Sequence, residues 1–179
     1  RGIQSNGISA CLKHFACTSQ ELRRKNVDSL VDERALREIY LTQFEIAIKE
    51  GKPRTIMSSY NPVNGEYANE NHHLCNDILR GEWGFDGVMV SDWGGVDNRV
   101  EGIRTCNDLE MPFTAGDTNA DIVKAVQDGT LAEEDLDACV DRLLDVVLST
   151  SENLAKEGGE ADLEKHHEFA TKVAEEAIV

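Results

Sequence analysis

Short apolar runs and longer helical periodicities alternate along this chain. The run 8–15, "ISACLKHF", reads as a strand. Over 29–51, Leu36, Ile39, Tyr40, Phe44 and Ala47 recur at steps of three and four, which predicts a helix with one apolar face. Ser29 with Asp32 resembles a capping box at its start, and Lys49 followed by Gly51 marks its end. The segment "RTIMSSY" (54–60) predicts a second strand, followed by a Pro/Gly/Asn loop over 61–71. A short helix is expected over 73–84, then a third strand at "GVMV" and a fourth at "NDLEMP" (107–112), stopped by Pro112.

Two further helices are expected, at 119–129 and 131–150. Thr130 and Glu133 form a second candidate capping box, and Leu136, Val140, Leu143, Leu144 and Val147 a single apolar face. The acidic "EEDLDACVD" reads as the wet side of that helix. The polar stretch 151–169 is expected to be an exposed connection, and 169–179 a last amphipathic piece. Strand followed by helix, repeated four times, implies parallel strands joined by crossover helices, about half of a TIM-type (β/α)8 barrel. Half a barrel leaves open strand edges, so the chain is expected to be truncated or to pair with another copy. The division expected is 1–150 as a partial barrel, with 151–179 as an acidic linker and helix leading to a second domain outside the chain.

Charge narrows the partners. The formal net charge is −16 over 179 residues. Residues 1–60 carry 10 Lys and Arg against 7 Asp and Glu; the remainder carries 8 against 27. So acidic a surface repels phosphate backbones and lacks a basic stripe, which argues against nucleic acid as a partner. No run of 18 apolar residues is present, so no membrane span is expected. The 5 cysteines include no C-x-x-C pair, so buried free thiols in a reducing, cytoplasmic setting are expected, with no metal and no cofactor. The doublet His72-His73 near Cys75 lacks a second cluster to complete a metal site, and His166-His167 is expected to be solvated.

In α/β folds ligands gather at the carboxyl ends of the strands. The residues there are His14 or Phe15, Tyr60 and Asn61, Asp92 and Trp93, and Glu110 and Met111. Polar or aromatic groups thus follow each apolar run, a recurrence more informative than any one of them. Taken singly, each has a plainer explanation. Asp92 could cap a following helix, Trp93 could be core, and His14 and Tyr60 could be hydrogen-bonded packing. Lys13 and His14 are neighbours and point to opposite faces unless the strand ends or bulges there.

Four motifs together, "KHFACTSQELRR" (13–24), "MSSYN" (57–61), "EWGFDGVMVSDWGG" (82–95) and "DLEMP" (108–112), resemble the successive barrel signatures of glycoside hydrolase family 3, the β-glucosidase family. The resemblance runs from Arg1 to about residue 150. It implies a retaining glycosidase in which Asp92 is the nucleophile, Lys13 and His14 hold sugar hydroxyls, Tyr60 lies close to the nucleophile and Trp93 walls the sugar site. Glu21 and Arg24 would support the site from behind. The acid/base carboxyl would come from a later domain, outside this chain. The expected partner is a β-glucoside or an oligosaccharide with a glucosyl end, because "KHFACTSQE" is closer to β-glucosidases than to β-xylosidases. Two rival readings remain. One is an inactive or merely sugar-binding piece, or a self-associating one. The other is a metal-dependent enzyme using Asp92, Asp108, Glu110 and His14, for which no ligand spacing speaks.

Overall fold

The computed structural model of the protein describes residues 1–152 and 160–178. The strands described are β1 (Cys11–Phe15), β2 (Thr55–Ser58), β3 (Pro62–Val63), β4 (Glu66–Tyr67) and β5 (Val88–Val90). β1, β2 and β5 form one parallel sheet in the order β1-β2-β5. Leu109 adds a single parallel bridge to Val90, so the expected fourth strand is reduced to one point of contact. The expected 61–71 loop contains the β3-β4 hairpin. Its Asn64-Gly65 turn has φ of 54° and 97°, the left-handed pair that a two-residue hairpin needs.

Helix α1 covers 33–51 and widens into π-type turns over Leu36–Leu41 and again over Ala47–Gly51. Helix α2 (His73–Glu82) follows, then α3 (Arg99–Arg104), α4 (Asp117–Gln127), α5 (Glu133–Ser151) and α6 (Leu163–Ala177). The parallel strands require crossovers, and α1 and α2 provide them. Their apolar sides close over the sheet in one cluster around Phe15, Leu36, Phe44, Ile56, Leu79 and Met89. Phe15 meets Phe44 edge-on at 5.2 Å and Trp83 at 6.0 Å, both favoured aromatic arrangements. A second cluster, Ile103, Ala125, Leu131 and Cys139, joins α3, α4 and α5. Gly87 lets the start of β5 lie against β2: a Cβ there would stand 2.2 Å from the Arg54 carbonyl oxygen.

Several expectations about helix faces and ends are corrected. In α1 the wide turns add a residue between core contacts. Leu41 and Ile48 therefore face inward with Leu36 and Phe44, and Ile39 turns to solvent. The helix starts at Glu33 with Asp32 accepting from the Ala35 amide, whereas the Ser29 hydroxyl donates to the Cys17 carbonyl. At α5 the N-cap is Ala132. The Thr130 hydroxyl folds back to Ala125 O and Asp128, so no capping box forms. The inward side of α5 carries Leu136, Cys139, Arg142 and Leu143, leaving Val140, Leu144 and Val147 exposed. This helix is apolar around more than one stripe, and the position of Asp108 under Arg142 selects which stripe turns in. In the expected connection 151–169, residues 153–159 lie outside the described residues. Leu163–Ala177 is helix, capped by Asp162 accepting from the Lys165 amide.

Candidate functional site

β1, β2 and β5 run in parallel, so their carboxyl ends open on one edge of the sheet. β5 delivers Ser91 and Asp92 there. Ser91 is fully buried: its amide donates to Leu109 O at 2.9 Å, and its hydroxyl accepts from the Met111 amide at 2.8 Å. The next carboxylate is not spent on a helix. The N-cap of α3 is Asn98, and Asp92 Oδ1 accepts from the adjacent Trp93 amide, at 2.7 Å. Oδ2 lies 3.4 Å from His14 Nε2, and the Asp92 side chain keeps 13% of its surface open. Asp92 is thus a nearly buried carboxylate with spare acceptor capacity.

β1 loses regular register between Leu12 and Phe15, at the residues that must re-aim to bring His14 to the pocket. Lys13 is exposed, and among the described residues no hydrogen bond or ion pair links it to Asp92. Tyr60, buried beyond the end of β2, donates its hydroxyl to the Trp93 carbonyl at 2.8 Å. Burial, and then the Asp92 charge beside it, hold the Tyr60 phenol above its ordinary pKa. The Arg24 guanidinium lies 4.6 Å from the Tyr60 ring centre and pairs with Glu21 at 2.8 Å, so both residues sit behind Tyr60. The Trp93 side is open, the residue being 60% exposed. An aromatic face, a histidine, a phenol and a carboxylate therefore converge at one strand edge.

The other carboxylates near this edge are committed elsewhere. Asp108 is fully buried and accepts from Arg80 at 2.9 Å, from Arg142 at 2.8 Å and from the Met89 amide at 2.7 Å. Glu110 accepts from the Thr118 hydroxyl at 2.7 Å and faces Arg99 at 3.8 Å. The metal reading through Asp92, Asp108, Glu110 and His14 fails on this geometry. No set of three His, Cys, Asp or Glu side chains arranged to hold a metal occurs among the described residues. His73 is instead shared between Asp77 and Glu33, at 3.1 and 3.0 Å.

Two features escaped the reading of the sequence. One is the Asp108 cluster, whose signal was Arg142, the single cation in the acidic run of α5. The other is Lys25, which donates to the Gly94 carbonyl at 3.1 Å and lies 5.0 Å over the Tyr60 ring; inside "RRK" nothing distinguished it.

The family model described as the glycosyl hydrolase family 3 N terminal domain matches residues 1–146. The chain belongs to glycosyl hydrolase family 3. Among curated relatives, the thermostable beta-glucosidase B of Acetivibrio thermocellus is 48% identical over all of this chain and 24% of its own length. An exo-alpha-(1->6)-L-arabinopyranosidase of Bifidobacterium longum is 42% identical over 99% of the chain and 23% of its own. Among solved structures, beta-glucosidase 3B from Thermotoga neapolitana in complex with glucose matches with TM-score 0.90 and 45% identity, over 96% of this chain and 25% of that one. The chain spans about a quarter of the length of these family 3 relatives. As in them, it presents parallel strands with helices packed on the sheet. No helix among the described residues is long and apolar enough to cross a membrane.

Proposed function

We propose that this chain supplies the nucleophile side of a retaining β-glucosidase site. The observation that carries the reading is Asp92 itself, a strand-end carboxylate with one backbone donor, a histidine at 3.4 Å and an exposed tryptophan next in sequence. In this reading Asp92 attacks the anomeric carbon and the glycosidic oxygen leaves with its electron pair. A covalent glycosyl-enzyme results, and water later opens it. His14 and Lys13 donate to sugar hydroxyls. Trp93 offers its face to the C–H surface of the ring. Tyr60 fixes the backbone at Trp93, and Arg24 with Glu21 fixes Tyr60.

A retaining enzyme needs a second carboxyl, about 5–5.5 Å from the first, to protonate the leaving oxygen. Asp108 and Glu110 are occupied, so that group is assigned to another part of the protein; the relatives are about four times as long as the chain. Residues 1–150 then form part of an eight-unit barrel, and 151–179 lead out of it. Glucose is the favoured glycone, with xylose and arabinopyranose as competitors.

The test is intact-mass spectrometry after incubation with a 2-deoxy-2-fluoro-β-glucoside carrying a dinitrophenolate leaving group. That group departs without protonation, so the acid/base is not needed. The expected result is a gain of one fluoroglucosyl unit on the peptide holding Asp92, absent in Asp92→Asn. Protection by a panel of free sugars ranks the glycones. Labelling elsewhere would sink Asp92 as nucleophile, and no labelling would leave a sugar-binding piece.

A further inference from the structure

The turn 92–95 is short, glycine-rich and open on one side, yet in the proposed site it carries both the nucleophile and the sugar platform. Its inner anchors are backbone bonds: the Gly94 amide donates to Met111 O at 2.7 Å, and the Gly95 amide to Asp92 O at 3.0 Å. Two of its carbonyls are held by side chains. Tyr60 takes the Trp93 carbonyl at 2.8 Å and Lys25 the Gly94 carbonyl at 3.1 Å. Gly94 has φ of 70°, and the Lys25 Nζ stands 3.7 Å from where its Cβ would be, so the ammonium fills the space beside the glycine. The same ammonium lies 5.0 Å over the Tyr60 ring. One cation therefore braces the turn directly and again through the ring that holds the preceding carbonyl.

We propose that Lys25 is a positioning residue that fixes the Asp92–Trp93 turn for glycosyl transfer, acting through the Gly94 carbonyl and the Tyr60 ring. The inference rests on the proposed role of Asp92 and deepens it. A charged donor to a carbonyl is among the stronger hydrogen bonds, and a cation over an aromatic ring adds attraction. Both are weakened here because Lys25 is exposed, so the effect is one of geometry rather than of folding.

The experiment compares Lys25→Met and Lys25→Arg with the wild type, each carrying fluorotryptophan. Only Trp83 and Trp93 are present, and Trp83 is buried in the cluster with Phe15 and Phe85, to which Trp93 does not belong, so it is an internal control. In Lys25→Met the Trp93 fluorine resonance is expected to shift or broaden while Trp83 stays. Lys25→Arg, which keeps a charged donor, restores it. On the fluoroglucoside, Lys25→Met should lower the rate constant for labelling roughly fivefold, with apparent affinity changed less than about twofold. An unmoved Trp93 resonance in Lys25→Met overturns the inference whether or not Asp92 labels. A moved resonance with an unchanged labelling rate overturns its catalytic part. Failure of the wild type to label at Asp92 rejects the functional reading instead, and the resonances still judge the brace.

Discussion

Truncating Asp108 to alanine should be among the most damaging single changes in this chain. The carboxylate is fully buried and joins three elements: Arg80 of α2, Arg142 of α5 and the Met89 amide of β5. Its removal strands two guanidiniums whose side chains keep only 13% and 19% of their surface open. Arg80 retains bonds to the carbonyls of Phe85, Gly87 and Cys106, but its Nε is already buried without a partner. Among the described residues Arg142 retains a contact with the Cys139 sulfur. Breaking a buried ion pair by removing one partner costs about 3–5 kcal/mol. Partial rehydration of the two arginines lowers that figure, and the lost Met89 hydrogen bond raises it by about 1 kcal/mol. A net loss of about 4 kcal/mol follows, or a melting temperature lower by roughly 10 °C for a chain of this size. Urea unfolding followed by tryptophan fluorescence measures it directly. Arg142→Ala is the companion variant. It leaves Asp108 paired with Arg80 and Met89, so it should cost about 1–2 kcal/mol. A loss below about 1 kcal/mol for Asp108→Ala, or equal losses for both variants, would refute the view that this carboxylate is the hub.

Two further outcomes are expected. Hydrogen bonding to Asp77, opposed by burial and reinforced by Glu33, lifts the His73 imidazole above its ordinary pKa, with Arg37 and His72 close by. Protonated His73 bridges α1 and α2, so its stabilisation is complete below the ordinary value near pH 6.5 and disappears as pH rises through the lifted one. The urea midpoint of the wild type should therefore fall across that window and that of His73→Gln should not; parallel profiles would contradict the bridge. Burial pushes the Cys17 thiol up to about 11 and the Cys139 thiol up to about 12, and Cys75 is raised as well. Alkylation of the native chain near pH 8, read by peptide mass, should mark exposed Cys11 first and these three only on unfolding. Early labelling of Cys75 or Cys139 would show that the packing around them is wrong.

How much of this was legible in the sequence depends on the range of the interaction. Each strand that pairs in the parallel sheet begins or ends within a few residues of its apolar run, because burial on a sheet is written into consecutive side chains. The recurrence of polar groups at the strand ends located His14, Tyr60, Asp92 and Trp93, and the sheet brings all four to one edge. The face of α1 was misjudged at Ile39 because a strict helical period cannot anticipate wide turns. The Asn64-Gly65 hairpin is written in its turn residues, within the stretch expected as a loop. The partners of Lys25 and Arg142 are not legible for a different reason, although Arg142 stands out as a cation in an acidic run. Their partners, Gly94 and Asp108, lie 69 and 34 residues away, and no local pattern records a contact made at that distance.

The contrast between Asp92 and Asp108 explains why one acidic residue can be read as chemistry and the other as structure. They lie on the neighbouring segments joined by the Val90–Leu109 bridge. Asp108 has every strong donor it can use, two guanidiniums and an amide, and no open surface. A carboxylate so neutralised is a poor nucleophile, since its electron pairs are already committed and an incoming carbon cannot reach them. Asp92 accepts from its own neighbour's amide, with a histidine at 3.4 Å and part of its surface open. The fold supplies the rigidity that Asp92 lacks from the backbone instead, through Ser91, Met111 and the glycine turn. Holding the main chain and sparing the side chain is what a covalent mechanism demands. In the proposed role the Asp92 oxygen must meet the anomeric carbon within a few tenths of an ångström, with an electron pair still free when it arrives. Adding a strong donor to Asp92 should therefore impair labelling even if it improves stability.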